Sequence, residues 1–102
     1  MIIRERYTKP LTSGAASWNT NSDLRGQIAH ISVNPSVSTT TFDFRITDDA
    51  GTTVYYKKGL KGQFFDDSKI GVYGIYTLGI ESASNSSWNF ITTVLWREDE
   101  NP

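Results

Sequence analysis

Apolar and polar residues alternate with a period of two along much of this chain, and clusters of Gly, Asn, Asp, Ser and Pro separate the alternating runs. Successive side chains of an extended strand point to opposite faces, so the pattern predicts half-buried strands; no window repeats apolar positions at helical spacing. Thr41 to Thr47 alternates most cleanly, with Phe42, Phe44 and Ile46 on one face and Thr41, Asp43, Arg45 and Thr47 on the other. Asp48-Asp49-Ala50-Gly51 then supplies an acidic turn with a glycine able to take a positive φ, and Thr52 to Lys58 returns with Val54, Tyr55 and Tyr56. Together the two runs predict a β-hairpin.

Other segments extend the same reading. Residues 1–10 place Ile3, Glu5 and Tyr7 on one face and Arg4, Arg6 and Thr8 on the other. Neither face is purely apolar, which suits an edge strand or a docking arm, ended by Pro10. Residues 11–23 are rich in small polar residues and predict a loop with one short strand, Ala16 and Trp18 being its inward or interface contacts. Strict alternation from Leu24 to Asn34 sets Ala29, Ile31 and Val33 against Ile28, His30 and Ser32, and Pro35 closes that strand. Gly59 to Lys69 predicts a long connection that crosses between sheets. Val72 to Ser82 predicts one strand, with Tyr76, Leu78 and Ile80 opposite Tyr73, Ile75, Thr77 and Glu81. From Trp88 to Trp96 both faces are largely apolar, which predicts a central strand or one covered by another chain. Residues 98–102 form an acidic tail expected to fray. The fold class that follows is all-β: one antiparallel β-sandwich domain over residues 1–102, of jelly-roll or immunoglobulin-like Greek-key order, with about seven or eight strands.

Charge and composition narrow the function more than the fold. Ten basic and eleven acidic residues leave a formal net charge of −1, so no long-range field draws in nucleic acid or an anionic bilayer. Cysteine is absent, which removes disulfides, thiolate metal sites and a Cys nucleophile. Charges in Met1 to Arg6 interrupt the apolar core that a signal peptide needs, and the expectation is a protein made and assembled in a cytoplasm. His30 is the one histidine, and no nucleophile-elbow spacing surrounds any serine. The chain is therefore expected to be no enzyme and to need no cofactor. Asp48-Asp49 and Asp66-Asp67 lack the alternate-residue spacing of a calcium loop and are assigned to turns and solvation, with no metal expected.

Binding remains. Trp18, Trp88 and Trp96, with Tyr55, Tyr56, Tyr73 and Tyr76, either fill a core or form a platform for sugar rings, and Trp18 and Tyr55 are the candidate stacking residues. Ile3, Tyr7, Trp18, Ile91 and Leu95 are the candidate protein-interface residues.

A likeness rests on Thr41-Phe42-Asp43-Phe44-Arg45-Ile46-Thr47-Asp48, with Gly51 and Val54-Tyr55, and on Gly74-Ile75-Tyr76-Thr77-Leu78-Gly79-Ile80 followed by Ala83-Ser84. Over about residues 25 to 97 the chain resembles the small β-sandwich accessory proteins of tailed-phage virions, the capsid decoration (cement) proteins and neck or tail proteins. The resemblance implies a virion structural protein that stabilises a shell through protein-protein contacts. It also implies a homo-oligomer, often a trimer, with the major capsid or another virion protein as partner. The amino-terminal arm is short, which argues against a long-reaching clamp. A carbohydrate-binding β-sandwich module, for example on a phage fibre or tail, is the alternative expectation.

Overall fold

The computed structural model describes residues 2–20, 23–67, 69–84 and 90–99, without the side chains of residues 2, 3 and 97–99. Among the described residues there are nine strands and no helix: β1 (Ile2–Pro10), β2 (Ala16–Asn19), β3 (Leu24–Pro35), β4 (Thr41–Thr47), β5 (Thr53–Lys61), β6 (Phe64–Asp66), β7 (Ile70–Gly74), β8 (Thr77–Glu81) and β9 (Phe90–Asp99). They form two antiparallel sheets packed as a sandwich. The first runs β1-β9-β3, and β6 and β7 share the far edge of β3; the second runs β2-β8-β4-β5. The core between them is one cluster, in which Phe42, Phe44 and Ile46 from β4 meet Ile28, Ile31 and Val33 from β3 and Ile91 and Leu95 from β9. Each such side chain, once fully buried, contributes about 2 kcal/mol through loss of contact with water.

The expected hairpin is β4–β5, in which Asp48 Oδ1 accepts from the amides of Ala50 (3.0 Å) and Thr52 (2.8 Å) and closes the turn. Among the described residues β1 is an edge strand paired with β9, and β9 is central, between β1 and β3. β9 also continues beyond the expected end of order: Glu98 pairs with Gln27 and Asp99 with Gly26, so the tail does not begin at residue 98. Residues 100–102 lie outside the described residues.

Three expectations are corrected. Strict alternation in β3 fails, because the register with β9 shifts between Ile28 and His30. The bulge at Ala29 lets Leu24 and Ile28 share the buried side with Ile31 and Val33, while His30 and Ser32 point outward. The segment from 72 to 82 is two strands in different sheets, not one. Gly74, at φ 111°, breaks it in a conformation that side-chain-bearing residues avoid. Thr20 pins the crossing: its amide donates to the Tyr76 carbonyl (2.8 Å) and its hydroxyl accepts from the Tyr76 amide (3.2 Å). The 59–69 connection does cross between sheets, but it also carries the end of β5 and all of β6. These divisions raise the strand number to nine.

Candidate interaction face

The two outer faces of the sandwich present different chemistry. On the four-stranded sheet, Arg45 organises the surface. Its guanidinium donates to Glu81 through Nε (3.1 Å) and Nη2 (3.4 Å) and to Thr53 Oγ1 through Nη1 (2.8 Å), and lies 4.3 Å from the Tyr56 ring centre. Asp43 Oδ1 accepts from the Gly59 amide (2.9 Å) at a register shift in β5. Arg45 and Glu81 pair with each other here, and β5 guards its own free edge with Lys57, Lys58 and Lys61.

On the five-stranded sheet the outward positions mix exposed aromatic rings with charged and polar side chains. Among the described residues five large hydrophobic side chains are exposed, and four of them, Phe65 (57%), Tyr73 (77%), Phe90 (48%) and Trp96 (38%), stand on this face. Half-buried Val94 continues the strip along β9. Register fixes two rows across the strands. In one, Arg4 on β1, Trp96 on β9 and His30 on β3 are neighbours, and Asp67 just past β6 completes the row with its Oδ1 2.5 Å from His30 Nδ1. In the next, Arg6, Val94, Ser32 and Phe65 follow one another. The His30 and Phe65 rings lie 5.9 Å apart and tilted by 31°, and the Arg4 guanidinium is 5.6 Å from the Trp96 ring. At the other end Arg25 stacks at 5.6 Å on Tyr73.

The residues proposed from sequence stand elsewhere. Tyr7, Trp18, Ile91 and Leu95 are buried in the core and offer no contact to a partner. Tyr7 and Trp18 face each other between the two sheets at 6.0 Å, and the indole Nε1 has no hydrogen-bond partner among the described residues. Trp18 is held by packing, with neither ring face open to a sugar. Tyr55 is also buried, edge-on to Phe44, and its hydroxyl donates to Asp66 on the opposite sheet. Burial, then the hydrogen bond and charge of Asp66, push its phenol pKa well above the usual tyrosine range. Both stacking residues are thus structural. The expectation for Ile3 falls on a side chain outside the described ones, as does that for Trp88.

Phe65 and Trp96 are exposed rings that the sequence reading does not single out as candidate site residues, although it counts Trp96 in a candidate platform. Their signals were present: adjacent Phe64 and Phe65 in one strand must face opposite ways, and β9 is apolar on both sides. Elsewhere, a shallow groove of about 600 Å³ runs past Lys9, Pro10, Ala16, Ser17, Gly79 and Glu81. Glu81 there is already committed to Arg45. No protein-family model matches the chain, and no curated protein matches it in sequence.

Proposed function

We propose that the protein is a non-catalytic assembly module that works through the outer face of its five-stranded sheet. Within the class its sequence resembles, this makes it a virion accessory subunit, most simply a decoration protein that stabilises a shell by protein-protein contact. The observation that carries the reading is the concentration of Phe65, Tyr73, Phe90 and Trp96 on one face, while the opposite face is polar and internally paired. Exposed rings gathered on one face in this number favour a surface that is covered in use. Near-neutral charge agrees with contact by shape and apolar area rather than by long-range attraction.

The test is composition of particles. Virions purified from the phage or prophage that encodes the chain are expected to contain it, and the Trp96→Lys variant is expected to be missing from them. Particles that assemble in its presence without incorporating it would overturn the reading.

A second reading has one observation in its favour. Trp96 and Phe65 flank His30, Asp67 and Arg4, so rings and hydrogen-bonding groups share one flat surface, as a glycan site requires. It moves the stacking role from Trp18 and Tyr55 to Trp96 and Phe65. A glycan array separates the two readings: signal lost in Trp96→Ala supports sugar binding, and a blank array removes it.

A further inference from the structure

We infer that the occupant of the apolar face is a second copy of this chain, laid face to face about a two-fold axis parallel to the strands and passing between β9 and β3. This rests on the proposed role of that face and names its partner.

The charge pattern selects the axis. A two-fold along the strands keeps each residue at its level but exchanges β1 with the β6 side and β9 with β3. In the first row, Arg4 of one copy then faces Asp67 of the other, and Trp96 faces His30. In the second row, Arg6 faces Phe65 and Val94 faces Ser32. Cation meets carboxylate, cation meets aromatic ring, and indole meets imidazole, each occurring twice by symmetry. The alternative two-fold, across the strands, sets β1 on β1 and brings the Arg4 and Arg6 columns of the two copies together, which like charge opposes. The groups are also held over the face beforehand. Arg4 lies on Trp96, and Asp67 is fixed by His30 while 87% exposed.

The area is sufficient. Four strand columns at about 4.8 Å make a face roughly 19 Å wide, and the twelve residues of β3 extend it to about 40 Å. The product is close to the ~800 Å² per partner of a specific interface, provided that nearly the whole face is used. Two-fold pairing thereby replaces the trimer that the resemblance implies.

Charge reversal tests this directly. Wild-type protein is expected to sediment as a dimer at tens of micromolar, an affinity in the ordinary range for an interface of about this size. Arg4→Asp and Asp67→Arg are each expected to weaken it about tenfold, and the double variant to regain most of that loss. Within one chain the two positions are three strand spacings apart, about 14 Å and beyond the screening length at physiological salt, so recovery reports contact between copies. Both positions are exposed, and circular dichroism melts check that the variants stay folded. Hydroxyl-radical footprinting of the wild type gives an independent reading, with Trp96 and Phe65 protected above the dissociation concentration and Tyr56 unchanged.

A protein that stays monomeric to about 1 mM, or single reversals without effect, or a double reversal without recovery, would overturn the pairing. So would equal footprinting of Trp96 and Tyr56 in a dimer. If the pairing fails while Trp96→Lys still drops out of virions, the face serves another partner; if Trp96→Lys stays in virions, the role of the face itself is wrong.

Discussion

Each sheet of this sandwich lends one side to the same core, yet their outer sides are built on opposite rules. The four-stranded sheet settles its charges internally, with Arg45 shared among Glu81, Thr53 and Tyr56. The five-stranded sheet leaves four large apolar side chains in water, flanked by charges held close to the sheet. Burial in the core cannot explain the difference, because outward residues on both sheets are equally remote from it. A surface whose groups satisfy one another has little to gain from a partner, and exposed aromatic rings have more.

The largest way to break this contrast is to empty the core that the two sheets share. Phe44 is wholly buried and lies edge-on to Tyr55, and Phe44→Ala is expected to cost about 3–5 kcal/mol, enough to lower the thermal midpoint of a small domain by more than about 10 °C. Deleting Ala29 should cost far less, because it leaves Leu24, Ile28, Ile31 and Val33 on one side of an uninterrupted pleat. A Phe44→Ala melt near that of the wild type, or an Ala29 deletion with no cooperative transition, would mean that this core and this register do not set which residues face out.

Alkaline titration probes the link between the sheets. In the folded protein Tyr55 holds its proton above the usual value of about 10, while the unfolded chain releases it there. Above pH 10 the unfolded state therefore binds fewer protons, and stability should fall by up to about 1.4 kcal/mol per pH unit, after being fully present at lower pH. Denaturant midpoints measured between pH 9 and 11, flanking that ordinary value of about 10, should slope downward in the wild type and flatten in Tyr55→Phe. A wild-type curve with no slope would show that Tyr55 is not buried against Asp66 in solution.

Smaller effects sharpen the comparison itself. Arg45→Ala should lose about 0.5–1 kcal/mol, because its pairs are partly exposed, and should leave association untouched. Phe65→Lys should change stability by less than about 0.5 kcal/mol yet abolish association, while Tyr56→Lys on the other face leaves association as it was. Equal sedimentation behaviour for these two lysine variants would erase the distinction between the faces.

Much of the fold was legible because one physical rule, alternate burial, writes itself into single segments. β4 reads directly, since Phe42, Phe44 and Ile46 are wholly buried and their neighbours are not. The bulge was less legible, although its trace exists: Leu24 and Ile28 lie on even positions and Ile31 and Val33 on odd ones, which a single uninterrupted pleat cannot bury together. The break at Gly74 left no such trace, because Val72, Tyr76, Leu78 and Ile80 keep one parity across two sheets. Which rings stand exposed was harder still. Trp18 sits among polar residues and reads as exposed, but what covers it is Tyr7, a residue of another strand and the other sheet. Local sequence reports how a strand divides its own two sides, not which other strand comes to lie across them.

The pairing of β1 with β9 also sets a timetable. Ile2 meets Glu98 and Pro10 meets Phe90, so β1 must wait for β9, some eighty residues on, before it has a ladder. At cellular synthesis speeds that interval is roughly 5–20 seconds, during which only the β4–β5 hairpin can complete a pairing between near neighbours. Phe65 and Tyr73 are synthesised earlier, but Phe90 and Trp96 join them on the outer face only in the step that closes the sheet.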